Sequence, residues 1–334
     1  IVANGYAGGV KDGIGLTEGY IRYDGLPNES GFKVTAKAGL MYPRISVENF
    51  ATAWSSPDTL SYSTINSWIG EELRHSGLEV SLAHLGKFTQ SDHSFDLSLA
   101  LFQHNDTTGA MLAWHGWTLS SRQTLNQETI QIGPISALKD GGALENQAWQ
   151  SDPFIELDDR IGHHISARWQ WKKTGSVLVG YYDNNVDTKV VKNGQYTWQT
   201  SFYHIGVKWR FPAATRLTMQ FINGDTRMHS PYGDAVVNNE YQSVSMMLTK
   251  KWNRHQLSAR IEDFDIVDFD QIEGDNNAED GQSATLSYRY RYNKNWFFHL
   301  EHNWLDSYRP ARYYNHDPSQ LTERQWQLAA RYFF

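Results

Sequence analysis

The sequence predicts an all-β protein, built as a single transmembrane antiparallel β-barrel. Three features predict it: polar and apolar residues alternate along the chain, short and long connections alternate, and aromatic residues make up 14% of a chain with mean hydropathy −0.58. Successive strand residues point to opposite faces, so a strand between lipid and a polar lumen has an intermediate composition. Trp and Tyr gather where a bilayer meets water, which explains 13 Trp and 18 Tyr.

Each predicted strand has one apolar face. In the C-terminal strand this face holds Trp326, Leu328, Ala330, Tyr332 and Phe334, opposite Gln327, Ala329 and Arg331. Further apolar faces begin at Trp296, Ala284, Leu257, Val244, Leu217, Tyr203, Val177, Ile165, Phe95, Leu78 and Phe32. A period of two over such runs is typical of strands with one apolar and one polar face.

The connections alternate in length. The short ones are 172–175, 211–215, 252–255 and 293–295, and the long ones are 133–155, 183–197, 223–239, 265–281 and 307–321. This rhythm is typical of outer-membrane barrels, which have short periplasmic turns and long external loops. A soluble β-sandwich also alternates in polarity but lacks this regular difference in loop length, so it stays a minor alternative.

The strand count follows from the parity of the connections. If the last strand ends in the periplasm, 43–75 is an outer loop, 25–30 and 86–92 are periplasmic, and 124–132 is a strand that follows a tight turn near 121–123. An even number of strands then requires one more, from residues 1–9 or from upstream of Ile1. We predict one barrel over residues 1–334 with about 16 strands, 14 to 18 being possible, and almost no helix.

Several classes are excluded by composition. No stretch of about 18 apolar residues is present, so no transmembrane helix is predicted. The sequence has no cysteine, which excludes disulfides, thiol catalysis and Cys-ligated metals. The formal net charge is −7 and no basic tail is present, so nucleic acid is not an expected partner.

The C-terminus carries a resemblance to a known signal. Residues Arg331-Tyr332-Phe333-Phe334 resemble the terminal aromatic signal of bacterial outer-membrane proteins, which their assembly machinery reads. The resemblance implies localisation in the bacterial outer membrane, contact with its lipids and lipopolysaccharide, and recognition by the barrel-assembly machinery through Phe334.

A second resemblance lies nearer the N-terminus. The segment 39–50, followed by Trp54-Ser-Ser-Pro57 and by 64–74, resembles barrel proteins near the phosphate-selective porins. The resemblance implies a Gram-negative outer-membrane porin. No ligand residue of that group transfers position by position, so it does not imply anion selectivity.

The polar face of the predicted strands is rich in basic residues. If the apolar alternates face lipid, the lumen is lined by Lys33, Lys37, Arg168, Lys208, Arg210, Arg216, Arg260, Arg289, Arg291 and Arg331. Inward acids are fewer (Glu79, Asp96, Glu262 and Glu301), and other acids lie in the external stretch 263–280. Fixed cations lower the barrier for anions, which predicts a porin for passive diffusion of small polar solutes that prefers small anionic ones. The equal alternative is that these cations pair with acids to fill a polar interior.

The loop 43–75 is unusually apolar for a loop in water. We expect it to fold into or over the lumen and to narrow it, although packing on itself or on a neighbouring subunit is also open. The candidate constriction residues are Trp54, Trp68, Glu71, Glu72 and Arg74.

Other functions have weaker sequence support. His163 and His164 are adjacent on a strand and point to opposite faces, so no metal or cofactor is expected. The pairs Asp92/His93 and His302/Asp306 lack a converging serine motif, so no enzymatic activity is expected and a barrel hydrolase is the less favoured alternative. A structural or adhesin barrel plugged by its own loops is the other alternative.

A homotrimer is expected from the size of the barrel. Ala36, Ala38 and Gly39 are small residues on a predicted N-terminal strand, and small residues permit close approach of a second wall.

Overall fold

The computed structural model describes residues 2–6, 13–270 and 272–332. The strands in this part are β1 (Val2–Tyr6), β2 (Gly13–Asp24), β3 (Phe32–Met41), β4 (His75–His84), β5 (His93–Gln103), β6 (Ile130–Gln131), β7 (Gln150–Ser151), β8 (Gly162–Trp171), β9 (Gly175–Asp183), β10 (Val191–Lys192), β11 (Gln195–Tyr196), β12 (Gln199–Phe211), β13 (Thr215–His229), β14 (Ala235–Trp252), β15 (His255–Asp268), β16 (Glu279–Arg291), β17 (Trp296–Tyr308) and β18 (Gln320–Tyr332). The α-helices are α1 (Thr64–Glu72) and α2 (Ala110–His115). None of the described helices is long and apolar enough to cross a membrane.

Fourteen of these strands form one antiparallel sheet, in which each strand pairs with its neighbours in chain order. The other four form two small separate sheets, β6 with β7 and β10 with β11. Among the described residues, no hydrogen-bonded ladder joins β1 to β18. The sheet confirms the predicted all-β antiparallel class with few helices.

The strand count is at the lower end of the predicted range. Residues 124–132 do not form a wall strand, because only the two-residue β6 lies there and it pairs with β7. Leu125 and Ile132 are buried in that region. Its apolar residues therefore pack inside the molecule, although their spacing resembles that of a strand. The extra strand expected from residues 1–9 is present as β1.

The two faces of the wall differ as the alternation predicts. On β15, Leu257 and Ile261 are exposed on the outer face, whereas Ser258, Arg260 and Glu262 are buried on the inner face. Aromatic pairs border the outer apolar band near the short turns: Trp171 and Trp209 at 5.6 Å, and Trp296 and Tyr332 at 5.0 Å. An outer face of exposed Leu, Ile, Val and aromatic residues faces lipid, so the sheet is the wall of a transmembrane β-barrel.

The connections lie at two ends of this wall. Residues 25–31, 85–92, 172–174, 212–214, 253–254 and 292–295 form the turn end, and the long connections form the loop end. Two long connections fold back between the inner faces of the strands. We call residues 42–74 the first insert and residues 104–161 the second insert.

A charge in the middle of the lipid-facing band should destabilise the barrel. Leu286 is an outward residue of β16 and is half exposed. We expect Leu286→Arg to lower the free energy of unfolding by about 2–4 kcal/mol, because a cation at this depth is removed from water. Urea titration of the protein in lipid vesicles measures this loss. The matched control is Val267→Arg, an outward position near the loop end of β15; equal losses would contradict the assignment of the band.

Candidate functional site: the lumen and its two inserts

Helix α1 of the first insert carries an apolar stripe into the lumen. Ile65, Trp68 and Ile69 recur at helical spacing and are buried. The Trp68 ring packs edge-to-face on Phe202 at 5.5 Å and on Tyr241 at 5.2 Å. These two partners are inner-face residues of the wall. The inserts and the wall therefore share one aromatic core in the loop-end half of the barrel.

Arg260 connects the wall to the first insert beneath this core. Its guanidinium donates to Glu48 Oε1 at 2.6 Å, to Glu262 Oε1 at 2.8 Å and to the carbonyl oxygen of Tyr62 at 2.8 Å. The side chain is 1% exposed. This differs from the expectation that Arg260 lines the pore, because Glu48 of the insert covers it.

Two acids of the wall bind the backbone of the first insert. Glu301 accepts hydrogen bonds from the backbone N–H groups of Leu60 at 2.6 Å and Ser61 at 2.7 Å. Glu262 Oε2 accepts from the backbone N–H of Thr64 at 2.7 Å, at the start of α1. The N-terminus of a helix stabilises a nearby carboxylate, because the first N–H groups of the helix lack partners within it. The acids predicted to face the lumen thus hold the insert in place.

Glu72 joins the first insert to the second. Its carboxylate accepts from Trp68 Nε1 at 2.6 Å and from the backbone N–H groups of Gly109 at 3.0 Å and Met111 at 2.8 Å. Gly109 has φ +106, and a Cβ there would meet Thr226 Oγ1 at 2.2 Å, so only glycine fits this approach to the wall. The two inserts therefore form one connected body.

The candidate constriction residues are not the ones beside open space. Trp54, Trp68, Glu72 and Arg74 are buried, and Glu71 contacts His115 Nδ1 at 3.2 Å. The physical reason is that the apolar residues that distinguish this loop in the sequence are the ones that pack in the interior. The groups nearest to open space are at the tip of the first insert, where Phe50 is 53% exposed.

The ten predicted basic residues divide into two groups. Four have acidic partners: Lys33 with Asp24 at 3.0 Å, Lys37 with Glu79 at 3.4 Å, Arg216 with Asp58, and Arg260. Six have no carboxylate within ion-pairing distance in the described part of the chain: Arg168, Lys208, Arg210, Arg289, Arg291 and Arg331. Both sequence interpretations of this basic face therefore apply, each to part of it.

The six unpaired cations lie in the turn-end half of the wall, where we call the lumen the vestibule. The tip of the first insert reaches into it. Arg289 Nη1 donates to the carbonyl oxygen of Pro57 at 2.7 Å, and Lys208 Nζ lies 3.3 Å from the centre of the Phe50 ring. The vestibule is therefore cationic and is bounded on one side by the insert.

The inserts leave space beside the last strands. A cavity of 390 Å³ is lined by Thr118, Leu119, Asn303, Leu305, Glu323, Arg324 and Gln325. Glu323 and Gln325 of β18 are exposed, unlike most inner-face residues of β12–β17. The aromatic core thus lies against one side of the lumen and not against β18.

The acidic stretch 263–280 is only partly solvated. Glu279 is buried and pairs with Arg309 at 3.3 Å. Asp275 is also buried, and its carboxyl accepts from Asn277 Nδ2 at 2.6 Å and from Trp114 Nε1 at 3.5 Å. Part of this loop is therefore packed onto helix α2 of the second insert.

Stability of this loop contact should depend on pH through Asp275. Burial raises the pKa of Asp275 from 3.8 to about 7. The folded protein then holds the proton more tightly than the unfolded chain, so its contribution to stability is complete below pH 3.8 and is lost as pH rises to about 7. We expect Asp275→Asn to flatten the decline of the melting temperature over this range. Asp317→Asn, an exposed change in another connection, is the control; an unchanged slope in Asp275→Asn would contradict the assignment.

Two clusters contain possible metal ligands. His164 and His204, on the inner face, have their Nε2 atoms 2.9 Å apart, a contact across β9 that adjacent spacing along the chain does not predict. The carboxylates of Asp106, Glu156 and Asp158 lie within 4.8 Å of one another.

Of the two histidine–aspartate pairs considered for hydrolysis, His302 stacks on Trp326 on the outer face, and His93 stacks on Trp169 near the turn end.

The second insert was missed by the sequence interpretation. Its helix α2 contributes Met111 and Trp114 to a second buried cluster near the loop end. The available signal was the interruption of period-two alternation between about 104 and 120, where Trp, Met and Leu residues occur without strand spacing.

No protein-family model matches the chain, and no curated protein matches it. Solved structures are similar to it at low identity. A loop L8 deletion mutant of OmpT, an outer membrane protein of Vibrio cholerae, is 11% identical with a TM-score of 0.45, over 90% of this chain and 79% of its own. The anion-selective porin from Comamonas acidovorans is 10% identical with a TM-score of 0.47, over 88% and 69%. The outer membrane channel DcaP of Acinetobacter baumannii is 9% identical with a TM-score of 0.36, over 93% and 100%. These similarities are too weak to indicate a function.

Proposed function

We propose that this chain is a porin-like channel of the Gram-negative outer membrane, through which small polar solutes diffuse and in which anions are preferred. The proposal rests on one observation: six inward cations of the vestibule have no acidic partner among the residues that the structure describes. Unpaired charge in a confined space sets the local potential that a permeating ion meets. Solutes pass beside β18, where the inserts leave the wall exposed.

The setting of the channel belongs to the same proposal. Outer-membrane lipid and lipopolysaccharide surround the apolar band, and the protein is a homotrimer. Ala36 and Ala38 alternate with Lys37, whose side chain pairs with inner-face Glu79, so they lie on the outer face. Gly39 is two residues beyond Lys37 and lies on the inner face by the same alternation. Recognition by the barrel-assembly machinery involves Phe334, which lies outside the described residues. We propose neither an enzymatic activity nor a cofactor.

The proposal is tested by recording ion currents. Purified protein in a planar bilayer is expected to form channels, and the reversal potential under a KCl gradient is expected to show chloride as the more permeant ion. Replacing Arg289, Arg291 and Arg331 together with Gln should reduce this preference, because three vestibule charges are removed. The control is Lys294→Gln in the adjacent turn, which removes one exposed charge outside the lumen. A preference for potassium, or an unchanged preference in the triple variant, would refute anion selectivity.

The aromatic core in the lumen favours a second candidate, a structural barrel closed by its inserts. Folded protein that inserts into the bilayer without conducting would support this candidate over the channel. Insertion is checked separately by protease protection of the turn end in lipid vesicles.

A further inference from the structure

A cavity of 380 Å³ lies in the vestibule between the tip of the first insert and strands β8, β9, β12 and β13. The basic residues that line it are Arg168, Lys173, Lys208, Arg210 and Arg216. None of its lining residues is acidic, and Phe50 contributes an aromatic ring.

Most of this positive charge is not neutralised by the protein. Arg216 binds Asp58, whereas the other four basic residues have no carboxylate within ion-pairing distance among the described residues. Asp96 is the ladder partner of Arg168, yet its carboxylate binds Arg44 Nη2 at 2.7 Å. This acid of the wall is therefore already paired with the first insert.

The ladder places like charges opposite each other. Arg210 and Arg216 are direct partners on β12 and β13. Like charges in this position destabilise a sheet. Asp58 neutralises Arg216 but leaves Arg210 without a carboxylate partner among the described residues. An anion in the cavity supplies this missing partner.

Phe50 gives the cavity a second chemical character. Its ring is half exposed although it belongs to a mostly buried insert, and Lys208 Nζ lies 3.3 Å from the ring centre. An exposed aromatic ring beside cations offers apolar contact next to charge recognition.

We propose that this cavity binds organic anions that combine an oxyanion group, such as a phosphate or carboxylate, with an aromatic or apolar body. The oxyanion contacts Lys208, Arg210 and Arg168, and the body packs on Phe50. The inference rests on the proposed channel function, because it names the class of solute that the vestibule retains.

The test compares two probes with one head group. Phenyl phosphate and inorganic phosphate are titrated into the full chain in detergent micelles at low ionic strength by isothermal calorimetry. Phenyl phosphate is expected to bind about tenfold more tightly, a difference of about 1.4 kcal/mol, because its ring contacts Phe50. Phe50→Leu should abolish the difference between the two probes, since Leu keeps much of the bulk and removes the ring.

The contribution of charge is tested by combining Lys208→Gln with Arg210→Gln, which should lower the affinity for both probes. If this double variant folds poorly, Lys208→Gln alone is used. Lys87→Gln, an exposed change in another turn, is the matched control and should bind both probes as the unaltered protein does. Equal affinities for the two probes, or unchanged binding in the Lys208 variants, would overturn the inference. Binding without bilayer conductance would support the site and refute the channel; anion-selective conductance without phenyl phosphate binding would refute the site alone.

Discussion

Replacing Arg260 by Met is expected to lower the free energy of unfolding by about 3–5 kcal/mol, because it leaves buried carboxylates without their cation. Glu48 and Glu262 both contact the guanidinium, and Glu48 belongs to the first insert. Part of the loss should appear as release of the insert, so channel conductance should rise. Urea titration in vesicles and single-channel recording measure the two effects.

The control for Arg260 removes its two acidic partners as well. The combined change Arg260→Met, Glu48→Gln and Glu262→Gln removes the cation together with both of its partners and should recover much of the lost stability. If Arg260→Met alone were as stable as the original protein, the buried ion pairs would not anchor the insert.

Shortening the first insert should have the largest effect on conductance. Met41 and His75 are direct ladder partners at the ends of β3 and β4. A turn of four residues, all Gly or Asn, in place of 43–73 therefore joins the strands without changing their register. We expect a severalfold rise in conductance, because a segment that occupies part of the loop-end half of the lumen is gone. Single-channel recording in the same bilayer compares the two proteins.

A crosslink provides the matched control for this deletion. Thr64 Oγ1 and Ser243 Oγ lie 2.9 Å apart, which places an insert residue against the wall, and the chain has no cysteine of its own. With Thr64→Cys and Ser243→Cys oxidised, conductance should equal that of the original protein, since the insert already occupies this position. Unchanged conductance in the shortened protein, or a fall on oxidation, would show that the insert does not define the path.

The wall was predictable because its physics is local. On β14 to β17 each residue faces either lipid or the lumen, so apolar and polar residues alternate along the sequence. This alternation is sufficient to predict which basic residues lie on the inner face. The inserts were less predictable because their partners are distant in sequence. Nothing near Glu72 indicates that it accepts hydrogen bonds from Gly109 and Met111, and nothing near Arg260 indicates Glu48. Most of the candidate constriction residues are buried for the same reason: apolar residues in a loop mark the positions that pack, whereas the exposure of Phe50 depends on where the loop ends inside the barrel.

The anchoring of the first insert also sets an order of events during biogenesis. Its contacts with the wall join residues far apart along the chain: Thr64 with Glu262 across 198 positions and Leu60 with Glu301 across 241. The strands that hold the insert therefore lie far from it along the chain. Contacts of such high sequence separation form late and slowly. Until β15 and β17 have joined the sheet, Trp68 and its neighbours have no wall to pack against, and a chain with exposed aromatic residues is prone to aggregate. The lumen is thus completed last, after the wall that surrounds it.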